Sequence, residues 1–263
     1  MNGMNIIFLK ISGGKMSISN NLAVVTYTNS NCQDVWPVYF GQLDKHASEL
    51  PSYVFSDINS RNYERHNFVV YDNNKPYYEQ YIECLSAVKQ NYIIYCQEDF
   101  IMYDDIDTAA LNRYIKFIEE TDYSFVRLIR SGFTEVDHGL KHIVDDIYDA
   151  NTLNPESFSF QMQATIWKKS DMINLYKEAK SPLWLEPAAD WRGAIIKLGI
   201  KGAYCYNGED QKGKYHWDTK VYPHIVSAIQ KGKWNTLQYN GKILEILEKY
   251  NIDPQVRGIR RIF

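Results

Sequence analysis

The chain has 263 residues, with 45% apolar and 23% charged side chains, the balance of a globular protein rather than a disordered one. A net charge of −3 gives no global attraction to nucleic acid, so none is expected as a partner. The length suits one large α/β domain with a substantial core better than two independent ones. Cys32, Cys84, Cys96 and Cys205 include no CxxC pair, so reduced thiols are expected rather than a zinc ribbon or a disulfide framework.

Along the chain, residues 1–19 read as an N-terminal extension, disordered or an extra strand. Their short run Ile6–Leu9 ends at Gly13-Gly14, and Met4 and Met16 are alternative starts. The run has neither the length nor the basic flank of a signal peptide. No stretch approaches the roughly 18–20 apolar residues of a membrane span. The expected location is the cytoplasm, with a peripheral membrane contact still compatible.

Leu22 to Tyr27 is a compact strand closed by the turn residues Thr28 to Asn31. A helix follows over 34–48, with Asp34 as N-cap and Pro37 in its first turn. Short strands at 53–55 and 68–71 end in Ser56-Asp57 and Asp72-Asn73-Asn74. Tyr78, Ile82, Leu85 and Val88 have helical spacing, predicting a helix over 75–89. Tyr92 to Cys96 is a continuous apolar run of strand length, which reads as a buried strand. A helix over 111–120, with its cap among Asp104, Asp105 and Asp107, leads to a strand over 124–129.

This alternation predicts βαβ units on a mostly parallel sheet flanked by helices. Residues 20–130 make up the first half of that arrangement. In residues 131–263, Ile143-Val144 and 158–167 predict a smaller antiparallel portion. Helices follow at 170–179, capped by Ser170, and at 186–198, then a strand at 203–206. Residues 207–217 read as a mobile surface loop, and 243–250 as a short amphipathic helix. The 21 tyrosines offer stacking surfaces for a sugar or base, but half-buried packing positions account for most of them.

Parallel sheets bind ligands beyond the carboxyl ends of their strands. Gln97-Glu98-Asp99 follows the buried strand there. Adjacent carboxylates at such a place are costly without a partner, and a hard divalent cation is one partner that fits them. A solvated helix cap is the other reading.

Here the chain resembles a family. The strand–carboxylate–Phe segment ending at Phe100 looks like the DXD region of GT-A-type glycosyltransferases. Phe160 to Lys169 followed by Ser181-Pro182-Leu183-Trp184-Leu185-Glu186 resembles a Gln- and Trp-containing block of bacterial and viral transferases of that type. The resemblance spans most of residues 22–220. Gln97 stands where the first Asp of DXD would be, and Pro182 and Trp184 are separated by an extra residue. In an extended segment Gln97 and Asp99 share a side, with Glu98 opposite.

The resemblance implies a Rossmann-like GT-A domain that moves a sugar from a nucleotide-sugar donor to a glycan or lipid-linked acceptor. It implies that Thr26, Tyr27 and Asp57 contact the base and ribose. Gln97, Glu98 and Asp99 then face the diphosphate, with Asp99 and His216 as ligands of Mn²⁺ or Mg²⁺. Lys212 and Lys214 would neutralise the departing diphosphate. Glu186 is the candidate general base, with Asp190 its rival on the same helical face. Trp184 and Trp191 would stack on a sugar ring. Two alternatives remain: a non-catalytic carbohydrate- or nucleotide-binding protein, and a nucleotidyltransferase. Against the last, Thr28 to Asn31 contains neither glycine nor lysine.

Overall fold

The computed structural model describes residues 18–130, 141–150, 162–181, 188–213 and 216–260. The short helix α1 (Ile18–Asn21) enters β1 (Leu22–Tyr27), followed by α2 (Trp36–His46), β2 (Ser52–Ser56), β3 (His66–Val70), α3 (Tyr77–Ala87) and β4 (Tyr92–Gln97). Next come β5 (Ile101–Met102), α4 (Thr108–Glu120), β6 (Tyr123–Arg127), β7 (His142–Val144), β8 (Ile147–Asp149) and β9 (Thr165–Lys168). Then follow α5 (Lys169–Ala179), α6 (Ala188–Leu198), β10 (Lys201–Cys205), β11 (Gln211–Gly213), β12 (His216–Trp217) and β13 (His224–Ile225). The C-terminal part holds β14 (Ile229–Gln230), β15 (Lys233–Asn235), α7 (Lys242–Lys249), α8 (Pro254–Arg257) and β16 (Ile259–Arg260).

A nine-stranded sheet in the order β3-β2-β1-β4-β9-β6-β10-β8-β7 is the centre of the molecule. The β1–β2, β2–β3, β1–β4 and β6–β10 pairings are parallel. Antiparallel pairing to their neighbours turns only β9 and β8 against the common direction. The fold is therefore mixed α/β, with a mostly parallel sheet and its antiparallel portion toward the β7 edge.

The sheet is covered on both faces, which is why its central strands are apolar without interruption. Leu22 and Val24 of β1, with Tyr92, Ile94 and Cys96 of β4, pack on one face with α2, α4 and α7. The alternate residues Ala23, Val25, Ile93 and Tyr95 pack on the other with α3, α5 and α6. This two-residue period is the strand pleat seen in packing.

Several local expectations are corrected. Asp34 does not cap α2, whose N-cap is Val35 without a side-chain bond; Asp34 instead pairs with Arg257, and Pro37 does fall in the first turn. Ser170 lies inside α5, whose N-cap is Lys168. The 207–217 segment is not simply a loop, because β11 and β12 pair within it as a hairpin. Asp107 does cap α4, accepting from Ala110 N at 2.9 Å.

Candidate functional site

The chain lays down β1, β2 and β3 in one direction, then crosses back to place β4 on the opposite side of β1. The strand order therefore reverses between β1 and β4. A crevice forms at such a switch point because the connections leaving the two carboxyl ends diverge. Tyr27 pairs with Gln97 at the last rung of the β1–β4 ladder. Thr28 follows the one and Glu98 the other.

The loop after β1 is tied down from several directions. Thr28 is 1% exposed. Its amide donates to Phe55 O at 2.9 Å, its hydroxyl accepts from Trp36 Nε1 at 3.0 Å, and its carbonyl accepts from the Tyr71 hydroxyl at 2.9 Å. Asp57, at the end of β2, accepts from both the amide and the hydroxyl of Ser30 at 2.7 Å. Burial alone would raise the Asp57 carboxyl, but the hydroxyl and amide bonds from Ser30 outweigh it and hold the group below its usual range.

Thr26 turns into the core, where its hydroxyl meets the Tyr39 hydroxyl at 2.6 Å. Tyr27 stacks on Tyr71 with centroids 5.1 Å apart and planes 5° apart, and its hydroxyl donates to Gln80 at 2.8 Å. Burial pushes the Tyr27 phenol up to about 12. At neutral pH it therefore acts as a neutral aromatic surface.

On the β4 side, the Gln97 amide nitrogen donates to the Tyr95 hydroxyl at 3.0 Å. The Cys32 thiol is pushed up to about 12 by burial and by the charge and hydrogen-bonding of Glu98 beside it. Asp99 keeps some accessible surface but is densely surrounded, and desolvation with the adjacent Glu98 charge raises its carboxyl to about 8. Its carboxylate accepts from Ile229 N, and its carbonyl accepts from Ala228 N at 3.0 Å. A carboxyl shifted this far favours a cationic partner in its ionised form.

Glu98 and Asp99 supply hard oxygen donors, with the neutral Gln97 beside them. That set fits a divalent ion whose remaining ligands are phosphate oxygens and water. Among the described residues, the group of three metal-capable side chains lies elsewhere: His46, Asp104 and Asp105. There His46 Nδ1 stands 2.7 Å from Asp105 Oδ1. Beyond β5 a cavity of about 380 Å³ is lined by Asp104, Asp105, Glu209, Asp210 and Asp218 with Lys220.

The other expected residues fall as follows. Glu186 and Trp184 lie outside the described residues, as does Lys214. Asp190 is in the first turn of α6, its side chain outside the description. Gly199-Ile200 turns α6 directly into β10, which runs with β6 and β4. The amino end of α6 thus returns to the sheet edge that carries Glu98 and Asp99. Trp191 is 3% exposed and packs edge-to-face on Tyr176 at 4.9 Å, so its ring belongs to the core. Lys212 stands 3.6 Å from both Asp210 and Asp218. His216 is in β12, opposite Gly213, with its side chain outside the description.

Sequence reasoning missed the C-terminal contribution. The strand β13 pairs with β5 and brings the fully buried His224 against Phe100, ring centroids 5.5 Å apart. Arg257 pairs with Asp34 and lies close to Cys32 and to the Glu98 carboxylate. The only local sign of this was the turn-forming Lys231-Gly232 between β-capable residues.

Neither protein-family models nor curated proteins give a match to the chain. Among solved structures, it is similar to Staphylococcus aureus TarS residues 1–349, at 13% identity and TM-score 0.45, over 76% of this chain and 60% of that one. That fragment has also been solved in complex with UDP. The glycosyltransferase GlyE of Streptococcus pneumoniae is similar at 11% identity and TM-score 0.45, over 70% of this chain and 45% of that one. CMP:2-keto-3-deoxy-manno-octonic acid synthetase, complexed with CTP, is similar at 11% identity and TM-score 0.42, over 70% and 88%.

Proposed function

We propose that this chain is a glycosyltransferase that moves a sugar from a nucleotide-sugar donor to a glycan or lipid-linked acceptor. The observation that carries the reading is the Glu98–Asp99 carboxylate pair at the switch point between β1 and β4, with the loop after β1 tied down by Asp57 through Ser30. Tyr27 and the Thr28–Ser30 loop shape the seat for base and ribose, with Thr26 and Asp57 fixing that shape from behind. Glu98 and Asp99 would hold Mn²⁺ or Mg²⁺, which would in turn carry the donor's diphosphate. When bound, the ion neutralises charge on the leaving diphosphate. Glu186, or Asp190 in the first turn of α6, takes the acceptor hydroxyl proton as the sugar–diphosphate bond breaks. Cytoplasmic placement belongs to the same proposal; no helix among the described residues is long and apolar enough to cross a membrane.

Thermal unfolding against UDP-, GDP-, CMP- and dTDP-sugars, each with and without Mn²⁺, tests the reading. A donor at about 100 times its Kd stabilises by roughly 2.7 kcal/mol, a rise of roughly 5–10 °C for a chain of this size. One nucleotide class should give the shift, and Asp99→Asn, which keeps an acceptor for Ile229 N, should remove its Mn²⁺-dependent part. No shift with any donor sinks the transferase reading.

A further inference from the structure

The strap made of β14, β15, α8 and β16 ties the two lips of the β1–β4 crevice to each other. On the β4 side, Ala228 N donates to Asp99 O at 3.0 Å and Ile229 N to the Asp99 carboxylate. On the β1 side, Arg257 grips Asp34 with two prongs of its guanidinium: Nε donates to Oδ2 at 2.7 Å and Nη2 to Oδ1. The third nitrogen, Nη1, donates to Gly232 O at 3.4 Å. One side chain thus joins α8, the turn between β14 and β15, and the loop after β1.

Between its two anchors the strap is a small sheet. Ile229 lies opposite Trp234, and Trp234 opposite Ile259. Trp234 N donates to Gly258 O at 2.9 Å, and Asn235 N closes back on Ala228 O at 2.8 Å. Trp234 is 1% exposed, with the Arg257 guanidinium 5.9 Å from its ring. The anchors are therefore linked by backbone hydrogen bonds, and a shift at one is carried to the other.

Exposed ion pairs contribute little, because two mobile side chains must be frozen to make them. The Arg257–Asp34 pair differs in two respects. It is two-pronged, which fixes direction as well as distance, and the arginine side chain is only 15% exposed. The loop it holds is already fastened at its other end, where Asp57 accepts from Ser30. Cys32 lies between these two fastenings, beside Glu98. It is half-buried, whereas Cys84, Cys96 and Cys205 are buried.

We propose that Arg257 is a positioning residue for nucleotide binding: by gripping Asp34 it holds the strap across the switch point and fixes the loop after β1 at its distance from Glu98. It acts through Asp34 and touches neither nucleotide nor metal. This deepens the donor reading above and rests on it.

The test uses the full chain and the variants Arg257→Gln, Arg257→Lys, Asp34→Asn and the double variant Arg257→Gln/Asp34→Asn. Calorimetric titration of UDP, GDP, CDP and dTDP with Mn²⁺, well below the unfolding temperature of every variant, gives the affinity for the nucleotide that the wild type binds. The rate at which DTNB modifies Cys32, with Cys32→Ser as control, reports on the loop without any ligand. Arg257→Gln and Asp34→Asn should each weaken the nucleotide about tenfold, and the double variant should be no worse than either, since all three break the same contact. Arg257→Lys should recover only part of the loss, because an ammonium cannot reproduce the fork. Asp34→Asn should speed modification of Cys32 severalfold, as the loosened loop exposes the thiol and the loss of a nearby negative charge eases its ionisation. A loss in Arg257→Gln with full affinity in Asp34→Asn means that the guanidinium acts on Glu98 or the diphosphate directly, and overturns the proposal. Additive losses, full affinity in both single variants, full recovery by lysine, or an unchanged Cys32 rate in Asp34→Asn overturn it too. If the wild type binds no nucleoside diphosphate, the donor reading fails; a faster Cys32 reaction in Asp34→Asn then still supports Arg257 and Asp34 as what fixes the loop.

Discussion

Replacing Asp57 with asparagine tests how the crevice is held open. In the wild type both carboxylate oxygens accept from Ser30, from its amide and its hydroxyl, at 2.7 Å each. Hydrogen bonds to an ionised group are worth about 1.5–3 kcal/mol each, against about 1 for neutral ones. Asparagine keeps one acceptor, loses the charge and turns its amide NH2, a donor, toward the second donor. Ser30 and Asp57 are half-buried, so water recovers part of the loss. The expected destabilisation is about 1.5–3 kcal/mol at pH 7. The carboxyl is depressed in the folded state, so its contribution is complete above the unfolded value near 3.9 and is lost as pH falls through the lower folded value. Urea unfolding of wild type and Asp57→Asn between pH 7 and pH 3 should show a constant difference down to about pH 4 that narrows below it. A difference under about 0.5 kcal/mol at pH 7, or one that grows on acidification, refutes the argument.

Two further predictions concern the frame behind the site. A Cβ on Gly202 would stand 1.9 Å from Phe125 Cζ, and Phe125 in turn packs on Trp167 at 4.3 Å. Gly202→Ala should therefore cost about 3 kcal/mol by overpacking, read as a lower urea midpoint with the slope unchanged. The Tyr81 hydroxyl is fully buried and has no hydrogen-bond partner among the described residues, while its ring stacks on Tyr176 at 4.4 Å. Tyr81→Phe keeps the ring and removes the unsatisfied group, so stability should stay level or rise by about 0.5–1 kcal/mol; a loss above about 1 kcal/mol would reveal a partner for that hydroxyl.

Much of the sheet was legible because its determinants are local. Leu22–Tyr27 and Tyr92–Gln97 are apolar without a break, and a strand covered on both faces has to be. Apolar residues of α4 recur at helical spacing, and Asp107 announces its start. From these the position of Glu98 and Asp99, at a strand's carboxyl end, followed directly. The caps of α2 and α5 were misread because Asp34 and Ser170 have cap chemistry, and only their surroundings decide whether it is used.

The sequence by itself thus determined the long strands and helices of the central sheet, that helices flank that sheet, and that two carboxylates stand where a strand ends. Tertiary structure alone decided that β4 lies beside β1, that β9 slips antiparallel between β4 and β6, and that Arg257 reaches back to Asp34. It also brought the Ala228 and Ile229 amides against Asp99. The physical reason is that backbone amides and carbonyls are the same at every residue, so pairing between distant segments leaves no mark in the local pattern. Which strand meets which is settled only when all the apolar faces are buried together.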